Sequence, residues 1–235
     1  MRPEGLKCEY AVNPLGIDAA QPRFSWLLES DRRGQVQTAY QVLVASAEQV
    51  LADGAGDKWD SGKVESDRSV NVPYEGGALA SGEKCYWQVR CWDKDGEASP
   101  YSVPATFEMG LLDAGDWQGK WIGTRQKVSS PLLRKTFTCS KPARRARVYV
   151  CGLGYYELHV NGRRVGDHVL DPATTYYRNI RPFELQARVL YVTYDVTEML
   201  REGANVLAVM LGHGWYSADG DPPGRTPYAD RPTLL

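Results

Sequence analysis

The 235-residue chain has no run approaching the roughly eighteen apolar residues of a membrane-spanning helix. Its first residues, MRPEGLKCEYAVNPLG, have no apolar stretch of the kind a secretory signal needs, so a cytoplasmic location is expected. A charge excess is missing too. Lys+Arg 28 against Asp+Glu 29 gives a formal net charge of −1 and a pI near 6.3. That balance excludes nucleic acid and the membrane surface as expected partners. The familiar catalytic frames are also missing: there is no GxSxG, HExxH or Walker loop, and no GxGxxG between a strand and a helix. Neither low-complexity segments nor repeats of 20–50 residues occur.

Five cysteines are present, Cys8, Cys85, Cys91, Cys139 and Cys151, without a CxxC or a histidine at zinc spacing. Cys85 and Cys91 lie six strand steps of about 3.3 Å apart, beyond disulfide reach. Buried free thiols in a reducing compartment are the expectation. Hydrophobic residues at 43% and charged ones at 24% are ordinary values for a chain with a real core.

The dominant periodicity is two. In Cys85-Tyr86-Trp87-Gln88-Val89-Arg90-Cys91-Trp92, one face carries Cys85, Trp87, Val89 and Cys91, and the other is half polar, as on a sandwich exterior. Residues 24–28, 40–45 and 105–109 read as further strands, and Ser46–Leu51 as a helical turn capped by Ser46. After a linker at 111–116, strands are expected at 132–137, 147–151, 189–194 and 206–211. Asn161-Gly162, after the alternating Tyr156-Glu157-Leu158-His159-Val160, marks a type I′ hairpin. The segment 197–201 reads as a short turn closed by Gly203. The expected class is all-β: two antiparallel sandwiches, 1–110 and 117–235. The second is expected to be incomplete at its C-terminus, leaving Val206–Leu211 short of a strand neighbour or facing cover.

Three histidines are candidate bases. His159 alternates outward on a hairpin strand, and His168 has no evident partner; both suit plain surface roles. His213 stands between glycines in Gly212-His213-Gly214-Trp215-Tyr216, where the loop presents two large rings. Such rings pack on the apolar face of a pyranose, or else plug the end of a sandwich. Tyr176 and Tyr177 form a second aromatic loop, with one ring expected buried and one exposed. Asp219-Gly220-Asp221 offers hard oxygens but lacks an EF-hand frame and reads as a turn. Arg144-Arg145-Ala146-Arg147 reads as a solvated basic face.

Several segments occur in a telling order: Trp59-Asp60-Ser61-Gly62-Lys63-Val64, Tyr86 through Asp93, Phe107 through Leu112 and Trp117-Gln118-Gly119-Lys120-Trp121-Ile122-Gly123. Gly152-Leu153-Gly154-Tyr155-Tyr156-Glu157, Val169-Leu170-Asp171-Pro172, Tyr194-Asp195-Val196-Thr197 and Leu211 through Tyr216 follow. Together they resemble the N-terminal region of bacterial α-L-rhamnosidases, inverting glycoside hydrolases of family 78. The resemblance implies a fibronectin-III-like or immunoglobulin-like sandwich followed by a jelly-roll-like accessory module. It also implies that the catalytic carboxylates sit in an (α/α)₆ barrel outside these residues, so that L-rhamnose-containing glycosides and the catalytic domains of a parent chain are the partners. Some family members bind L-rhamnose on the second module with calcium. Carried onto this chain, Trp215, Tyr216 and Tyr177 would stack on the sugar. Asp171 and Asn179 would bind its hydroxyls, and Asp171, Asn179 and Asp219 would hold calcium. The chain departs from the family where Ala173-Thr174-Thr175 replaces the usual Gly-Trp-Thr and in residues 179–188. The alternative is a pair of bracing domains that bind no sugar.

Overall fold

The computed structural model describes residues 1–126, 128–177, 187–217, 228–229 and 231–235. It divides into two compact units, Met1–Trp117 and Gln118–Leu235, and both are antiparallel β structures. Among the described residues no helix is long and apolar enough to cross a membrane.

The first unit contains strands β1 (Arg2–Cys8), β2 (Arg23–Glu29) and β3 (Ala39–Ala45), helix α1 (Glu48–Ala52), then β4 (Trp59–Asp60), β5 (Val64–Glu65), β6 (Val72–Pro73), β7 (Lys84–Trp92) and β8 (Ala105–Glu108). One sheet has the order β1-β2-β6. The other has β4-β3-β7-β8, with β5 also on β3. Alternation drives Phe24 and Trp26 from one sheet against Trp87, Val89 and Phe107 from the other. Phe24 lies 4.4 Å from the Trp87 ring, and both are fully buried. Trp26 satisfies its indole N–H on Gln37 Oε1 at 3.0 Å, and Gln37 in turn donates to the carbonyls of Ser66 and Arg68.

Two local expectations fail here for identifiable reasons. Ser46 does not cap α1; its hydroxyl and amide both engage Asp57, at 2.6 and 2.8 Å, and the helix starts two residues later. The outer face of β7 is not left open either. Helix α1 covers it, Gln88 donating to Leu51 O at 3.2 Å while Leu43, Ala45 and Leu51 form a small second core. Arg90 closes the rest, its guanidinium 4.9 Å from both the Trp92 and Tyr101 rings.

The second unit contains β9 (Leu132–Cys139), β10 (Arg147–Val150), β11 (Gly152–Leu153), β12 (Tyr155–Val160), β13 (Arg163–Arg164), β14 (Val192–Asp195), β15 (Gly203–Gly212) and β16 (Thr233–Leu234). Four strands pair in the order β13-β12-β15-β9, and β10-β14 and β11-β16 make two-stranded ribbons. Tyr156, Leu158, Val160, Val209 and Leu211 project inward to meet Val150, Tyr194 and Val196. The expectation that residues 206–211 lack a neighbour is overturned: β15 pairs with β12 on one side and β9 on the other. Leu234 is likewise held from two sides, by Gly152 and by Ile122.

Asn161 and Gly162 form the two-residue turn between β12 and β13, with φ of 52° and 79°. Asn161 does more than turn the chain. Its Oδ1 accepts from Val206 N, while its amide donates to Met199 O and to Asn205 Oδ1. Asn205, fully buried, also accepts from Arg201 N and donates to the Arg201 and Gly203 carbonyls. The network ties the hairpin turn to the turn before β15.

Cys8, Cys85, Cys91 and Cys151 are buried and Cys139 is half-buried; all five are free. Burial pushes the Cys85 and Cys91 thiols up to about 12 and Cys151 up to about 11.

Asn161→Gly separates the two roles of this residue. It retains the positive-φ turn but strips the network, leaving Val206 N and part of Asn205 unsatisfied. We expect a loss of roughly 1–3 kcal/mol, confined to the second unit. Calorimetry should show the second-unit transition fall while the first-unit transition stays, and an unmoved second-unit transition would mean that the turn alone matters.

Candidate functional site

The aromatic loop leaves β15 at Gly212, and its course is set by the segment beneath it. Gly154, at φ 107°, lies so close to that strand end that a Cβ would stand 2.3 Å from Gly212 O and 3.0 Å from His213 O. Only hydrogen fits there. The loop then closes on itself: Ser217 N donates to His213 O at 3.2 Å, and His213 Nδ1 lies 2.5 Å from Ser217 O. Because a carbonyl only accepts, that contact requires a proton on Nδ1. Nε2 is shielded from solvent and has no partner among the described residues.

Trp215 is 46% exposed. Tyr216 turns inward to a ring cluster. Tyr177 meets Tyr216 and Tyr228 edge-on at 5.1 Å each, and Tyr216 and Tyr228 stack at 6.3 Å with 11° between planes. Burial pushes the Tyr177 hydroxyl above its ordinary range. Tyr176 points outward at 54% exposure while Tyr177 is half-buried.

Asp171 belongs to a different group of side chains. The Tyr194 hydroxyl donates to its Oδ2 at 2.6 Å and accepts from the buried Tyr156 hydroxyl at 3.2 Å. His168 Nδ1 sits 3.1 Å from the same oxygen, which supplies the partner that sequence left unassigned. Burial, then the bond to Asp171, push Tyr194 up to about 12. His159 is half-buried on the outward face of β12.

The structure therefore brings together Tyr177 and Tyr216 and leaves Trp215, next in the chain to Tyr216, 46% exposed. It places Asp171 in a hydroxyl network of its own. Asn179 and Asp219 lie outside the described residues. Among the described residues no three His, Cys, Asp or Glu side chains converge as a metal site. A calcium shell needs six to eight oxygens. Asp171 is the one described donor of the expected set, with its Oδ2 accepting from Tyr194 and facing His168. Tyr228 and Tyr194 were not foreseen. Tyr228 lies in a Pro- and Gly-rich stretch without periodicity, whereas Tyr194 alternates inward at the end of a recognisable strand.

A family model for the Rha78A-like N-terminal immunoglobulin domain matches residues 3–113, and one for the α-L-rhamnosidase N-terminal domain matches residues 141–235. An α-L-rhamnosidase of Formosa agariphila is 39% identical over 229 residues, covering 87% of this chain and 23% of the relative. One from Alteromonas sp. (strain LOR) is 36% identical over 92% of this chain and 24% of its own length. The chain thus spans about a quarter of these curated relatives. Among solved structures, the α-L-rhamnosidase of Dictyoglumus thermophilum aligns with all of this chain and 27% of its own, at TM-score 0.88 and 40% identity. That of Streptomyces avermitilis, in complex with L-rhamnose, aligns with all of this chain and 38% of its own, at TM-score 0.87 and 26% identity.

Tyr194→Phe removes the donor to Asp171 and strands the Tyr156 hydroxyl in the core, at a cost of roughly 1–3 kcal/mol. Adding Tyr156→Phe should recover part of that loss, because no orphaned hydroxyl then remains. Urea midpoints of both variants measure it; a double variant less stable than Tyr194→Phe alone would count against the network.

Proposed function

Over residues 3–113 and 141–235 the chain belongs to the N-terminal domains of the α-L-rhamnosidases, and on that footing we propose that it is the non-catalytic N-terminal portion of an enzyme releasing terminal α-L-rhamnose from glycosides, its second unit binding L-rhamnose. The observation that carries the binding reading is the Trp215 ring, 46% exposed, on a loop braced underneath by Gly154. An indole face takes the C–H face of a pyranose and sheds water from both. Tyr216 and Tyr177, locked edge-on against each other, hold the loop in shape. Asn179 would supply a polar group for the hydroxyls, while Asp171 is engaged with Tyr194 and His168 in a network of its own. The Streptomyces avermitilis relative in complex with L-rhamnose supports the choice of sugar.

Hydrolysis with inversion needs a protonated carboxyl and a carboxylate on opposite sides of the sugar. In this reading that pair belongs to the catalytic barrel of the longer protein, and these two units present the glycan to it.

One observation favours the alternative of bracing domains without a ligand: the rings of Tyr177, Tyr216 and Tyr228 are spent on one another. Two measurements decide. The purified chain should give no turnover of an aryl α-L-rhamnoside above a protein-free blank, and robust turnover would move the chemistry into these residues. L-Rhamnose titrated by NMR should shift the Trp215 indole with a dissociation constant in roughly the millimolar range, since few atoms are buried. Trp215→Ala should abolish the response. Repeating the titration with calcium and with a chelator tests the ion. A silent Trp215 at tens of millimolar sugar, in both conditions, leaves the bracing reading.

A further inference from the structure

The neutral balance of the whole chain hides a division between its units. Residues 1–117 hold eleven Lys and Arg against nineteen Asp and Glu, a formal −8. Residues 118–235 hold seventeen against ten, a formal +7. Within the second unit the excess is concentrated further: between Asp116 and Glu157 there are nine Lys and Arg and not one Asp or Glu.

Strand register brings part of that excess onto one surface. Because Leu158 and Val160 face the core, His159 faces outward. It lies opposite Arg164 on β13 and Ala208 on β15, and Ala208 lies opposite Arg134 on β9. A single outward row therefore runs Arg164, His159, Ala208, Arg134 across four strands, about 14 Å from first to last at ~4.8 Å per strand. The next rows are Val206 with Thr136 and Ala204 with Thr138, small residues that keep the face shallow. Strand β9 then runs into the 140–145 loop, where Ser140, Lys141, Arg144 and Arg145 line an open depression. Arg134, Lys141 and Arg144 are exposed and have no ion-pair partner among the described residues. Acidic groups also lie near this surface: Glu157 one row beyond Arg134, Glu198 and Glu202 in the turn before β15, Asp195 paired with Arg147 just past the loop, and Asp167 three residues after Arg164.

Basic residues on an edge strand commonly guard against pairing with another chain. That accounts for Arg134 and Lys135, but not for Lys141 and Arg144 on a loop, nor for forty residues without an acid. We propose that the outward face of the β13-β12-β15-β9 sheet and the adjoining 140–145 loop bind the acid groups of a polysaccharide, carboxylate or sulfate. This rests on the reading of the second unit as a sugar-binding module. A glycan is favoured over nucleic acid because these rows offer no Trp, Tyr or Phe on which a base would stack. The acidic first unit repels the same polymer and confines it to the second.

Affinity electrophoresis of the full chain tests this, in gels containing polygalacturonate, dextran sulfate or neutral dextran, with duplex DNA as a separate arm. One or both acidic polymers should retard the chain, and which one does so tells carboxylate from sulfate; neutral dextran should not. Raising salt from about 50 to 200 mM should weaken retention roughly twenty- to fortyfold if about three charges are neutralised. Replacing Arg134, Lys141 and Arg144 together by Ser should cost at least tenfold in retention with an unchanged thermal midpoint. Equal migration in acidic and neutral polymers, an unaffected triple variant, or tighter binding of duplex DNA than of either glycan would overturn the proposal. Trp215→Ala should leave the retention intact, so retention without any response to L-rhamnose removes the sugar-stacking reading and not this one.

Discussion

The second unit depends on a place where two backbone segments touch. Gly154 and the end of β15 meet so closely that no side chain can come between them. From that contact the rest follows in order. The chain between β11 and β12 can bend there, which lets Tyr156 keep its register opposite Leu211 while Gly152 pairs with β16. The loop after Gly212 then starts from a fixed direction, and its aromatic rings emerge where they do because the strand end cannot shift. A methyl group at position 154 would push on a carbonyl, which has no rotamer by which to escape.

The architecture was legible because each long strand has its own alternation. β7, β12 and β15 announce their inward faces in Cys85, Trp87, Val89, in Tyr156, Leu158, Val160 and in Val209, Leu211. The turn at Asn161-Gly162 was legible for the same reason: it is local. What escaped was tertiary. Ser46 has the chemistry of a cap, but an aspartate eleven residues on competes for its hydroxyl and wins. Gln88 looks like a surface residue by pattern and is roofed by a helix only five residues long. Asn205 reads as an interruption in an apolar strand, whereas it is the hub of a satisfied network whose other members lie four and forty-four positions away.

The candidate site was legible in part. Glycines flanking His213 and two adjacent rings pointed to the loop, on which Trp215 is 46% exposed. The company of Tyr216 was not foreseeable, since Tyr177 and Tyr228 approach it from segments with no periodicity to align them. Asp171 was singled out for its oxygens, and the structure gives one of them, Oδ2, to tyrosine and histidine partners. Charge shows the same lesson on a larger scale: a sum near zero over the whole chain concealed two units of opposite sign.

The cysteines have a consequence of another kind. Four of the five are packed as small apolar side chains with thiols held protonated by burial, and the two on β7 are separated by the length of the strand. Neither sandwich draws any cross-link from them, and neither offers an oxidant an easy thiolate in its core. Sulfur serves here as filling: four of the five thiols contribute packed volume and none a link.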